Sequence, residues 1–140
     1  MKKIWMVLIA VSLLDVGMPA VAQEVTITSE NIAQIVGKWE GTRDVIKPQG
    51  RYSTEFTVVS INTVTPFTAI IKYYGGGRFN GVEFPVEVRI NKGKLDLKGG
   101  PIEAELVLDV LGPGKMMLSG DFVFRDGPGS FGKYVFYKKN

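Results

Sequence analysis

The chain has no cysteine and no histidine. Without cysteine there is neither a disulfide framework nor a lipid-anchored thiol. The absence of both residues excludes Ser-His-Asp and Cys-His nucleophilic catalysis, together with the usual zinc and copper sites. An excess of one charge is also missing. The 17 basic and 14 acidic residues leave a net charge of +3, too weak a balance for a nucleic-acid binder, which concentrates basic charge on one face. No membrane-spanning run is present either: Ile4 to Leu14 is apolar, but it is interrupted by Asp15 and falls short of the roughly 20 residues a transmembrane helix needs. An enzyme built from this chain would rely on carboxylate, lysine, tyrosine or arginine. No motif implies a cofactor or a metal.

What is present first is an address. Lys2 and Lys3 form a basic start, the apolar run follows, and Ala20-Val21-Ala22 is a small-residue cleavage signal. This is the layout of a secretory signal peptide. It divides the chain into a leader, residues 1–22, and one domain, residues 23–140, exported to the periplasm or medium and soluble once cleaved. A cysteine-free domain of this length must be held together by burial, and it is long enough to be.

Glu24 to Thr28 reads as extended. Ser29 suits a helix cap, Glu30 suits the positive end of a helix dipole, and Ile32, Ile35 and Val36 recur at helical spacing before Gly37 ends the run. One or two helical turns are expected, closing one end of a barrel. From Lys38 onward strands alternate with turns at Lys47 to Gly50, Asn62 to Phe67, Gly75 to Gly81, Asn91 to Gly93, Gly99 to Pro101, Gly112 to Gly114 and Asp126 to Gly129. Eight strands result.

Antiparallel partners share a face, so trial turns can be tested for a consistent interior. Pairing Lys47 with Gly50 sets Trp39, Arg43 and Val45 against Val58, Thr54 and Tyr52. Pairing Ile61 with Thr68 sets Val58 against Ile71, Phe56 against Tyr73 and Val59 against Ile70. Further along, Ile71 meets Phe84, Ile90 meets Leu95, Leu97 meets Ile102, Leu108 meets Leu118 and Ala104 meets Phe122. One face then collects Trp39, Phe56, Val58, Ile71, Phe84, Val86, Val88, Ile90, Leu95, Leu97, Leu106, Leu108, Val110, Leu118, Phe122 and Phe124. The other carries most of the charge. The last strand, Phe131 to Lys138, is apolar on both faces and its register is open. The fold class is all-β: an eight-stranded antiparallel up-and-down barrel with a short N-terminal helix, closed because closure removes sheet edges. A sandwich of two four-stranded sheets is the alternative.

Gly37-Lys38-Trp39, following a short helix and opening the first long strand, resembles the first motif of the lipocalins. Leu118-Ser119-Gly120 and the terminal Tyr137-Lys138-Lys139 are similar to the ends of small exported bacterial lipocalin-like domains. The resemblance implies a calycin-type barrel closed at the tryptophan end and open at the other, with Lys138 or Lys139 packed across the indole. The chain departs from the family in being short and lacking a disulfide and a long C-terminal helix.

The candidate site follows from polarity on the inward face. Arg43, Tyr52, Thr54, Ser60 and Tyr73 are its polar members, and a buried guanidinium must be paired or reach water. Arg43 is expected to fix a ligand carboxylate or phosphate, with Tyr52, Thr54 and Tyr73 as hydrogen-bonding walls. Snorkelling to the mouth is the alternative. Gly75-Gly76-Gly77-Arg78 lacks a P-loop ending and reads as a hairpin loop. It places Arg78 and Phe79 at the mouth, where Lys47, Arg51, Lys98 and Arg125 complete a positive rim. The carboxylate pairs Glu83/Glu87 and Glu103/Glu105 face outward, as solvated surface. The expected function is a non-catalytic binding protein for a small amphipathic, in one reading anionic, ligand in the barrel cavity. A filled-barrel interaction module is the alternative, with Val59, Ile61 and Ile70 as a homodimer contact; a carboxylate- or tyrosine-based enzyme ranks third.

Overall fold

Among the described residues, alternation of apolar and polar side chains is realised as nine strands in one sheet. The computed structural model describes residues 22–47, 49–74, 79–126 and 129–140. The strands are β1 (Gln23–Val25), β2 (Gly37–Lys47), β3 (Gly50–Asn62), β4 (Thr68–Tyr74), β5 (Glu83–Asn91), β6 (Lys94–Gly99), β7 (Ile102–Gly112), β8 (Lys115–Phe124) and β9 (Ser130–Lys138). Strands β2 to β9 pair antiparallel with their sequence neighbours, and β9 pairs back onto β2. The result is a closed eight-stranded up-and-down barrel. The ninth strand, β1, lies on β7 beyond the end of β6, setting Gln23 against Val110 and Val25 against Leu108. The expected leader lies outside the described residues except for Ala22, and no described helix is long and apolar enough to cross a membrane.

The expected N-terminal helix is corrected. Among the described residues there is no α-helix; Ile32–Ile35 forms a single 3-10 turn, with Asn31 rather than Ser29 at its start. Asn31 Oδ1 accepts from the Thr28 amide at 2.8 Å, which favours a tight turn over helix propagation. This turn nevertheless closes the barrel, because Ile32 and Ile35 are buried and the Ile35 carbonyl accepts from the Trp39 indole at 2.9 Å. Lys138 Nζ lies 6.0 Å from the Trp39 ring centroid and donates to the Gln34 carbonyl at 2.5 Å. The turn, the first long strand and the last strand are thus latched through one indole.

The face partition holds. Trp39 is fully buried, as are Phe84 and Leu106. Of the sixteen residues assigned inward, Ile90 and Val110 alone are half-buried. Registers expected for β4–β5, β5–β6 and β7–β8 match the observed pairs, as do Phe56 with Tyr73 and Val58 with Ile71. Two ladders slip by two residues, which keeps the faces: Trp39 meets Phe56 and Arg43 meets Tyr52, while Leu97 meets Ala104 rather than Ile102. A bulge at Val59 sets Ser60, not Val59, against Ile70 and leaves Ser60 exposed rather than inward. The outer patch of Val59, Ile61 and Ile70 breaks up accordingly, since Ile61 packs against the core.

Seven of the eight buried aromatic rings among the described residues form a connected column from floor to mouth. Trp39 stacks on Phe56 (6.3 Å), Phe56 meets Phe136 (4.7 Å), Phe136 meets Tyr134 (4.8 Å) and Tyr134 stacks on Phe122 (4.0 Å). Tyr134 also meets Tyr73, which meets Phe124 at 5.6 Å. Three of these rings lie directly across from a glycine: Phe136 from Gly41, Tyr134 from Gly120 and Phe122 from Gly132. A Cβ at Gly41, Gly120 or Gly132 would fall 1.7–1.8 Å from a carbonyl oxygen of the adjacent strand. The glycines let β2, β8 and β9 curl tightly while the rings cover the bare backbone.

Gly41→Ala is therefore expected to lower the urea midpoint by the equivalent of about 1–3 kcal/mol or more, as overpacked sites do. Gly112→Ala, where a Cβ meets nothing within 4 Å, is expected to stay within about 0.5 kcal/mol of the parent. Equal midpoints for the two variants would contradict the close-approach account.

Candidate functional site

Two strands bring a cation to the upper part of the ring column. Arg43 stands four residues beyond Trp39 on β2, and the strand alternation turns it inward. Its Nη1 reaches Tyr73 Oη at 3.5 Å, a long contact, and its guanidinium lies 5.2 Å from the Tyr52 ring centroid. Tyr134 Oη donates to Tyr73 Oη at 3.0 Å. Arg43 Nε is buried and has no hydrogen-bond partner. Among the described residues no carboxylate pairs with this guanidinium.

The expected site residues separate into three groups. Arg43, Tyr52 and Tyr73 come together as anticipated. Thr54 is buried but turned elsewhere, its Oγ1 donating to the Tyr74 carbonyl at 3.1 Å. Phe79 packs its ring against Phe84 at 5.7 Å and so covers the mouth, and Arg78 lies outside the described residues. Tyr134 was missed because the last strand carries apolar residues on both faces. Its pairing with Gly120 was the available signal, since a bulky inward ring needs a small partner.

Among the described residues the interior is packed at the level of the rings: the space between Phe56, Ile71, Tyr73, Leu97, Tyr134 and Phe136 amounts to about 10 Å³, the room of at most one water. The rim is also less positive than loop residues alone suggest. Arg51 is bonded to its cross-strand neighbour Asp44 at 2.6 Å, and Arg125 to Glu103 at 2.9 Å. Arg51 holds the Asp44 carboxyl below its usual range, and Arg125 then Lys98 do the same for Glu103. These pairs are exposed and screened, so each adds little to stability.

Outside the barrel, β5 to β8 form a groove of about 440 Å³ lined by Glu87, Arg89, Asp96, Lys98, Glu103, Glu105 and Asp121 among others. Its carboxylates are largely engaged, Glu87 by Arg89 (2.9 Å), Glu105 by Lys94 (3.4 Å) and Asp121 by Lys133 (2.8 Å). Among the described residues no cluster of acidic side chains has the geometry of a metal site. The carboxylate pairs singled out in the sequence thus sit on the outer face, away from the inward polar groups.

Burial, and then the neighbouring Tyr73 hydroxyl, push Tyr134 well above the ordinary tyrosine range, with the Arg43 charge pulling weakly the other way. The neutral phenol is favoured in the fold. Its contribution is complete below pH about 10 and is lost as the pH rises above that toward the folded value. In a native phenolate titration, Tyr134→Phe is expected to overlay the parent until alkaline unfolding begins. An early ionisation missing from the variant would contradict the buried-phenol geometry.

Comparison of the chain with family models, with curated proteins and with solved structures finds no match.

Proposed function

We propose that this is an exported, non-catalytic, lipocalin-like barrel whose ligand carries an acidic oxygen group held at the mouth by Arg43. The observation that supports this reading is a surplus of donors. Around the niche stand the guanidinium and two phenols, and the two phenol oxygens are the acceptors these groups share. One phenol hydrogen is used between the two tyrosines. Whichever way that bond runs, the other phenol hydrogen and the buried Arg43 Nε–H remain without an acceptor within the niche. A carboxylate or phosphate oxygen supplies the acceptor of which the niche is short, and such charge-assisted bonds are the stronger kind. The ligand sits above the ring column rather than within it, because the interior has no room for an organic group.

A second reading is a filled-barrel interaction module, which the packed interior favours. It leads to concentration-dependent self-association through exposed apolar side chains such as Val59 and Ile46. An enzyme is the least supported reading, since the paired carboxylates face solvent among cations.

Titration of the protein with small carboxylates and with inorganic phosphate, followed by NMR, is expected to show saturable binding. Arg43→Gln should abolish it and Tyr73→Phe should weaken it by about five- to tenfold, the worth of one hydrogen bond. Carboxylate binding should be flat from pH about 6 to 9 and fall at lower pH as the carboxylate ligand itself protonates. An unaltered affinity in Arg43→Gln would contradict the assignment, and oligomers in sedimentation with no anion binding would favour the second reading.

A further inference from the structure

Tyr52 stands directly across from Arg43 in the β2–β3 ladder, yet its ring is 43% exposed, whereas Arg43 Nε beneath the rim is sealed from solvent. The ring is folded back over its own strand. A Cβ at Gly50 would fall 2.6 Å from Tyr52 Oη and 2.8 Å from the ring, so this position exists because residue 50 is glycine. Among the described residues the Tyr52 hydroxyl makes no hydrogen bond, and the guanidinium contact at 5.2 Å is what holds the ring. Such a cation–aromatic attraction at an exposed site favours the closed position by a factor of only about two to five.

We infer that Tyr52 is a lid over Arg43, and that the niche beneath it receives a monocarboxylate side-on. The inference rests on the anion-binding reading of the same niche. With Nη1 turned to Tyr73, the free edge of the guanidinium is Nε with Nη2. Arg51 uses that edge on Asp44, at 2.6 and 3.2 Å, which demonstrates the fit of a planar carboxylate to it. Charge selects a monoanion. Arg51 and Arg125 are already neutralised by Asp44 and Glu103, so Arg43 offers one positive charge, and a phosphate dianion would enter the niche undercompensated. The apolar remainder of the ligand lies outward, past the displaced ring.

The test follows the Arg43 Nε–H resonance by nitrogen-15 NMR, with acetate and inorganic phosphate as probes. Tyr52→Ala is expected to speed exchange of this proton with water about threefold or more and to tighten acetate binding by the same factor, because the closed fraction no longer lowers the apparent affinity. Gly50→Ala, which pushes the ring out without removing it, should act in the same direction. Unchanged proton exchange in both variants overturns the lid, even where acetate binds. Faster exchange with neither acetate nor phosphate binding in any chain overturns the carboxylate assignment and the anion reading together. Phosphate binding more tightly than acetate at alkaline pH, where phosphate is a dianion, overturns the monoanion class alone.

Discussion

Closure of the ring by β9 on β2 is the constraint from which the rest of the structure follows. A closed antiparallel barrel of eight strands has a narrow interior, and the side chains on its inner face must fit within it. Here the described interior holds eight buried aromatic rings, and the fit depends on three inward positions having no side chain at all. Gly41, Gly120 and Gly132 let the backbones of β2, β8 and β9 approach to distances that a Cβ forbids. Each glycine is covered by an aromatic ring from the strand beside it. Removing apolar area from water on this scale, about 25 cal/mol per Å², is the main stabilising term open to a chain without disulfides.

The same filling determines where polar chemistry can occur. Below Arg43 the column is apolar to the indole floor, and the floor is sealed by the 3-10 turn and the Lys138 latch. The two central phenols could not be tolerated in that column singly. Tyr73 and Tyr134 satisfy each other at 3.0 Å, and Tyr73 Oη is also the oxygen that the Arg43 guanidinium approaches as donor. The polar niche is thus a consequence of packing two tyrosines where phenylalanine would otherwise serve. Burial without partners is costly for such groups, which makes their retention chemically meaningful.

Much of this was legible in the sequence because a strand has period two. Slipping a ladder by two residues leaves every inward side chain inward, so the face partition survived where the β2–β3 and β6–β7 registers did not. What those slips changed was cross-strand chemistry. Arg51 opposite Asp44 is an ion pair, whereas the expected alignment left Arg51 as free positive rim. Two-residue slips are invisible to hydrophobic pattern, but the complementary charges of Asp44 and Arg51 were there to choose between them. The bulge at Val59 carries no such mark, because Val59, Ile61 and Ile70 are all apolar and fit either count. The helix failed for a different reason: the four residues between Asn31 and Val36 are too few to repay nucleation, and Asn31 binds back to Thr28 instead.

Arg43 shows why the candidate site was partly readable. An arginine among inward positions marks itself by its cost, whatever the register. Tyr134 does not, since tyrosine on a strand with two apolar faces looks like packing until its partner Gly120 is known. The two together change the meaning of the filled barrel. The ring column packs against Tyr73 and Tyr134 from below, and Tyr73 in turn contacts Arg43. On the anion-binding reading proposed above, a donor set supported in this way loses little freedom on binding, so a small acidic group can be held with few contacts. Recognition on that reading takes place at the rim, where Tyr52 rather than barrel volume decides what enters.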